Sequence, residues 1–311
     1  MTPLTIAVGN YGLTRALKDG SVAAERLPLD LVEIAPITKA MRRMVRSLDL
    51  DICEMAFTTY LCAKALGQPL TAIPVFLTRN FHHWAAFHHV AAGIRSPRDL
   101  ERRRVIVNRG YTVTTGLWLR GILKTEYGVD LGTITWMPTD DEHVAEYVAP
   151  PNVDYAWRGQ AAGDLLLARA ADAGIGDIKI DSPAIRPLIP EARQAGFAYY
   201  RRTGIYPINH AVVVRNDILA ADPGLAAALV ALFEAAKAPY LAQLASGAPL
   251  SPGDETAREV SRLVGGDPFP YGIAANRRAI EAIVDFAVDQ QVIPRKLGVA
   301  ELFAPGTLGN L

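Results

Sequence analysis

Short apolar runs alternate with helical patterns along the first third of the chain. "LTIAVG" (4–9), "LDLVEIAP" (29–36), "LDICEMAF" (50–57) and "LTAIPVFLT" (70–78) read as strands, separated by helix-like stretches such as "TKAMRRMVRSL" (38–48). This β-α-β-α order predicts an α/β fold with a mostly parallel sheet. "AAFHHVAA" (85–92) reads as a further strand, and "RRVIVN" (103–108) opens a second unit. In "YTVTTGLWLRGILKTEYG" (111–128), Leu119, Ile122 and Leu123 share one helical face, and Gly128 is placed to stop the helix. "TITWMPT" (133–139) predicts a strand and "DLLLARAADAGI" (164–175) a helix. Toward the C-terminus, "AAALVALFEAAKAPYLAQLA" (226–245) and "NRRAIEAIVDFAVDQQ" (276–291) are amphipathic helices joined by the polar segment "SGAPLSPGDET" (246–256).

The run "HAVVVR" (210–215) is a buried-strand pattern far from the first group. It suggests a return to the first unit after an excursion. The expected division is a discontinuous first lobe, 1–98 and 208–311, and a second lobe, 99–207, with crossings near 90–100 and 200–210. Small-molecule sites favour the clefts between such lobes.

At 311 residues, half of them apolar, the chain can bury two ordinary cores. Basic and acidic residues balance at 32 each, which argues against a nucleic-acid partner. The basic run "RDLERRRV" (98–105) reads as a solvated helix end. Cys53 and Cys62 sit in apolar surroundings and support neither a disulfide framework nor a thiolate zinc site. The N-terminus lacks the pattern of a secretory leader, and no run approaches the ~18 apolar residues of a membrane span. A cytoplasmic protein with no membrane partner is therefore expected; the apolar C-terminal helices leave room for a homo-oligomer.

Four loops at strand ends carry candidate chemistry, since ligands bind at the carboxyl ends of parallel strands. "GNYGLTR" (9–15) presents Asn10, Tyr11 and Thr14 after a tight turn, although a helix cap needs only one such residue. "CEMAFTTY" (53–60) sets Glu54 among apolar residues, where a carboxylate must titrate upward or face a positive partner; Thr58 follows. "TRNFHHWAAFHHV" (78–90) holds four of the six histidines. On an extended segment His82 and His88 would share one face, His83 and His89 the other. No metal-ligand spacing is present, so Arg79 with His82 or His83 is the better candidate pair. "NRGYTVTTG" (108–116) offers Arg109, Tyr111 and the N–H groups of a helix start, with Thr112, Thr114 and Thr115, as a carboxylate cradle. Arg158 in "WRG" (157–159) and the pair Arg201 and Arg202 in "YYRRTGIYPINHAVVVR" (199–215) complete a set of arginines with few nearby acids. Guanidinium forks bind carboxylates bidentately, so a small organic or aromatic carboxylate is the expected ligand.

"DICEMAFTTY", "IPVFLTRNFHH", "LWLRGILKTEYGV", "YYRRTGIYPINHAVVVR", "FPYGIAANRR" and "ELFAP", in this order over nearly the whole chain, resemble the 4,5-dihydroxyphthalate decarboxylase family. Its members look like type II periplasmic binding proteins retained inside the cell, which implies a two-lobed α/β fold with an interdomain cleft. Three departures fall in the implied pocket. Asn10 stands where the family tends to have aspartate, "NRGY" (108–111) replaces a Pro-Glu-Tyr pattern, and His82 replaces the arginine before the motif histidine, here His83.

The resemblance implies non-oxidative loss of CO2 from a hydroxylated aromatic carboxylate. Arg79, Arg201 and Arg202 would hold carboxylates, and the threonines at 112, 114 and 115 would hold the second one. His83 or His210 would protonate the ring carbon. Glu54 would accept the phenol proton or orient a histidine. No organic cofactor motif is visible, and a divalent metal is left open. The alternatives are a non-catalytic solute-binding or sensor protein with the same cleft, and the same fold running a different reaction on an organic acid.

Overall fold

The computed structural model describes residues 2–22, 27–247 and 249–309. The chain divides into unit 1, residues 1–79, 208–280 and 297–311, and unit 2, residues 80–207 and 281–296.

Unit 1 is built on a five-stranded sheet of β1 (Leu4–Ala7), β2 (Leu29–Leu31), β3 (Ile52–Ala56), β4 (Leu70–Arg79) and β10 (Ile208–Arg215), in the order β2-β1-β3-β10-β4. β1 pairs in parallel with β2 and β3, whereas β10 runs antiparallel to both β3 and β4, so the sheet is mixed rather than mostly parallel. Every residue of β3 is buried, which explains its unbroken apolar run: helices cover both faces of the sheet. Ile6, Ile52, Val75, Val212 and Val214 pack on one face against Leu229, Phe233 and Ala236. Those three lie on a long helix, Leu225–Ala245. That helix is long and apolar enough to cross a membrane by length and composition, but here it covers the core of unit 1. On other elements Phe57 packs edge-on to Phe76, with ring centroids 6.1 Å apart.

The helices in chain order are α1 (Arg15–Lys18), α2 (Ile37–Ser47), α3 (Phe57–Ala65), α4 (Thr114–Tyr127), α5 (Ala162–Leu167), α6 (Ala192–Thr203), α7 (Asn216–Ala221), α8 (Leu225–Ala245), α9 (Pro252–Val264), α10 (Arg277–Asp289) and α11 (Val299–Leu302). The polar joint expected at 246–256 already contains the start of α9. Ser251 accepts the Asp254 N–H as N-cap, Pro252 opens the first turn, and Asp254 and Glu255 sit at its positive end.

Unit 2 carries a second sheet of β5 (Ala86–His89), β6 (Arg104–Val107), β7 (Thr135–Pro138), β8 (Ala173–Ile175) and β9 (Ile185–Pro187), ordered β7-β6-β8-β5-β9. β6 is parallel to β7 and β8, and β5 is antiparallel to β8 and β9. β5 is the first strand after the chain enters unit 2, and β10 the first after it returns; each is the antiparallel member beside parallel strands. The single helix expected over 164–175 is instead α5 followed by β8. Arg169 has φ +60°, which stops the helix, and Ala173–Ile175 takes the centre of the sheet.

The sequence placed the first crossing near 90–100, but it lies at Arg79/Asn80. β5 is bonded into the second sheet, so residues 80–98 group with unit 2. Residues 281–296 belong there too. Phe286 packs edge-on to Trp118 of α4 at 5.6 Å, and the Gln290 side chain bonds Arg120 and the Leu117 carbonyl. The second crossing is at Pro207/Ile208.

Candidate active site

In unit 1 the loop after β1 folds back on itself. The Tyr11 N–H donates to Thr14 Oγ1 at 3.0 Å, and the Thr14 hydroxyl donates to the Gly9 carbonyl at 2.7 Å. This turn presents two donors to one carboxylate. The Gly9 N–H donates to Glu54 Oε2 at 2.7 Å and the Tyr11 hydroxyl to Glu54 Oε1 at 2.9 Å. A third donor comes from β10: His210 Nδ1 lies 2.6 Å from Glu54 Oε1. Because the carboxylate can only accept, Nδ1 carries the proton. Glu54 is completely buried, and an ion there is tolerated only when paired and hydrogen-bonded. The side chain that meets it across the sheet is His210, 156 residues away.

Strand register brings the pair together. Glu54 opposes Val212 and Ala56 opposes His210, so Glu54 and His210 are diagonal neighbours on one face. The pairing of β10 with β4 is irregular on both sides of His210, the kind of bulge that re-aims a side chain. The His210 side chain keeps 20% of its exposure. With Nδ1 engaged by a buried group, Nε2 is the nitrogen left to exchange a proton. Burial, then the charge of Glu54 and the bond to it, push the Tyr11 phenol far above its ordinary 10, so it remains a donor. Glu54 is fully buried, and its carboxylate lies against the His210 imidazole.

Gly9 is required by this geometry. A Cβ there would meet the Tyr11 ring at 2.4 Å. Gly9→Ala is therefore expected to push Tyr11 off Glu54, lower stability by about 1–3 kcal/mol and reduce turnover; thermal melting and a rate assay check both.

Asn10, Tyr11, Thr78 and Arg79, with Tyr240, Asp254 and Phe269, line a cavity of about 360 Å³. Asn10 is exposed, and Arg79 ends β4. Arg79 Nη2 donates to Asn276 Oδ1 and to the Pro270 carbonyl at 3.4 Å, and its guanidinium lies 5.4 Å from the Phe76 ring centre. Thr58 is fully buried in the first turn of α3. Tyr11, Glu54 and His210 are thus joined by hydrogen bonds, and Asn10, Tyr11 and Arg79 share a cavity.

In unit 2 the expected carboxylate cradle before α4 is occupied by the protein itself. Glu142 accepts from the Tyr111 N–H at 2.5 Å, the Thr112 N–H at 3.0 Å, the Thr112 hydroxyl at 2.6 Å and the Tyr155 hydroxyl at 2.7 Å. A Cβ on Gly110 would collide with the same carboxylate. Thr112 is therefore engaged by an internal acid rather than standing open to a ligand. Thr114 is buried at the start of α4, and Thr115 follows it half-buried. Below them the fully buried Arg120 donates to the Tyr111 carbonyl at 2.7 Å and stacks on its ring at 3.9 Å. Arg109 holds φ +74°, an uncommon conformation for a side-chain-bearing residue, with its N–H on Thr139 Oγ1.

The arginines have more acidic company than the sequence suggested. Arg158 pairs with Asp141 at 2.8 Å, both exposed, and Arg202 pairs with Glu126 of the same unit. Asp177 and Asp140 act on Arg109. Arg201 is exposed on α6.

His82 and His83 lie on a 3₁₀ turn, His82–Ala85, and not on the extended segment assumed from their spacing. Both are buried, and His83 sits beside the Tyr199 ring at 5.7 Å. Burial, reinforced by the Arg202 charge, lowers the His83 imidazole from 6.5 to about 4. The unfolded chain binds this proton below about 6.5 while the folded chain does not. Stability should therefore fall as pH drops from 6.5 toward 4, by about 3 kcal/mol at most from this group. His83→Gln should flatten that part of a urea-stability profile against pH. Among the described residues, no three His, Cys, Asp or Glu side chains gather in a metal-holding arrangement.

Glu142, Tyr155, Arg120 and Asn276 were missed from sequence. Arg120 and Asn276 lie within the family-like segments "LWLRGILKTEYGV" and "FPYGIAANRR", and Glu142 within the acidic stretch 139–147, which lacked a partner until the fold supplied one.

No protein-family model matches the chain. It is 32% identical to the 4,5-dihydroxyphthalate decarboxylase of Comamonas testosteroni over 324 aligned positions, 98% of this chain and 97% of that one. It is 34% identical over 136 positions to the enzyme of the same name from Pseudomonas putida, covering 43% of this chain and 52% of that one. Among solved structures, the periplasmic aliphatic sulphonate binding protein of Escherichia coli superposes with a TM-score of 0.54 over 98% of each chain, at 12% identity. The fold is therefore that of the periplasmic binding proteins.

Proposed function

Because this chain belongs to the 4,5-dihydroxyphthalate decarboxylase family, we propose that it removes CO2, without oxidation, from a hydroxylated aromatic dicarboxylate such as 4,5-dihydroxyphthalate. The observation that carries this reading is the His210–Glu54 pair, an imidazole held by a buried carboxylate with its second nitrogen free to act.

The chemistry needs one proton. In 4,5-dihydroxyphthalate each carboxylate is para to a hydroxyl. Proton transfer from His210 Nε2 to the carboxylate-bearing carbon, assisted by electrons from the para oxygen, gives a non-aromatic intermediate. The C–C bond to the carboxylate then breaks, its electrons restore the ring, and CO2 leaves. The ring keeps the proton, and His210 recovers one from water. Glu54 stabilises the imidazolium and fixes its tautomer, and Tyr11 and the Gly9 N–H hold Glu54 in place. Arg79 binds a carboxylate by charge-assisted hydrogen bonds.

The test is CO2 release from 4,5-dihydroxyphthalate by the full chain, with 3,4-dihydroxybenzoate as the accompanying product. Release by wild type supports the reading. Tight binding of the acid with no release would favour a binding protein instead.

A further inference from the structure

Asn276 is 2% exposed, and both ends of its amide are used. Nδ2 donates to the Pro270 carbonyl at 2.9 Å and to the Gly272 carbonyl at 2.7 Å. Two acceptors on one side fix the orientation of the amide, so Oδ1 is the end that receives Arg79 Nη2. A flipped amide would set its NH2 group against the donor Arg79 Nη2 and its oxygen against both carbonyls. The turn itself is anchored to the strand that carries Arg79, since the Gly272 N–H donates to the Pro74 carbonyl of β4 at 2.8 Å. Gly272 adopts φ +85°, which a side chain would resist, so the turn presents both carbonyls to Asn276. A neutral carbonyl directs the guanidinium without neutralising it, as a carboxylate at this position would.

We propose that Asn276 is a positioning residue, which aims the Arg79 guanidinium at a ligand carboxylate. This rests on the reading above that Arg79 binds such a carboxylate. Asn276 acts on the ligand only through Arg79, so its effect must vanish when Arg79 is absent.

The experiment is a double-mutant cycle on the full chain, with calorimetric affinity for 4,5-dihydroxyphthalate and steady-state kinetics on Asn276→Ala, Arg79→Ala and the double variant. Asn276→Ala is expected to weaken binding about tenfold and raise KM, with kcat at saturation nearly unchanged. In the Arg79→Ala background it is expected to add less than about twofold. A merely structural role would add the same penalty in both backgrounds, and that result overturns the proposal, as does wild-type affinity in Asn276→Ala. Wild-type affinity in Arg79→Ala instead overturns the reading of Arg79 and this inference with it. Should Asn276→Ala fail to fold, Asn276→Asp keeps the shape and sets an anion beside Arg79. At least a tenfold loss of affinity is then expected, and retained affinity overturns the proposal.

Discussion

His210→Ala is expected to lower kcat for CO2 release by ~10²–10⁴, the usual contribution of a positioned acid, while leaving affinity for the substrate little changed. The imidazole is partly exposed and bonds Glu54, so the fold loses little. Removing it does leave Glu54 buried with one donor fewer, and a fall in melting temperature at neutral pH should accompany the kinetic loss. Glu54→Gln separates the two roles of the carboxylate. It retains an acceptor for Nδ1 but drops the charge that favours the imidazolium, so kcat should fall less than in His210→Ala. An unchanged kcat in Glu54→Gln would mean that the imidazole works without its partner.

Arg79→Ala is expected to act on the other kinetic constant. A desolvated, hydrogen-bonded charge pair lost on one side costs 2–5 kcal/mol, so KM for the dicarboxylate should rise by roughly 30-fold or more. Its effect on kcat should be smaller, because Arg79 is assigned to holding the substrate and not to proton transfer. Arg79→Lys should recover only part of the affinity. A point charge replaces a planar fork, and Asn276 and Pro270 are placed for the Nη2 of a guanidinium. Steady-state kinetics over a range of substrate concentrations checks both variants.

β3 and β4 were legible because burial on both faces writes them as nearly unbroken apolar runs, and β10 could be recognised as a return strand for the same reason. β8 was not. Its alanines and glycine carry a weak strand propensity, and only its central place between β6 and β5 fixes it as one. The start of α9 carried a readable cap in Ser251, Pro252 and Asp254, but its glycine and prolines read equally as a linker. Tyr11, Glu54 and His210 each stood out singly, Glu54 by its apolar company. Their convergence depends on strand register, which sequence spacing does not encode. The unit 2 cradle shows the converse. A helix start rich in threonine does bind a carboxylate, but that carboxylate is Glu142, delivered by a loop 30 residues downstream of Thr112. The chemistry of the cradle was written locally; its occupant was not.

The central claim is that His210 hands a proton to the ring carbon that loses CO2. By microscopic reversibility the same group removes that hydrogen once CO2 has added back to the ring carbon of the decarboxylated product. In D2O containing dissolved CO2, nuclear magnetic resonance of 3,4-dihydroxybenzoate should show wild type replacing with deuterium the ring hydrogen para to a hydroxyl at the former carboxylate position, and His210→Ala leaving it in place. Equal exchange by the two proteins would contradict the account.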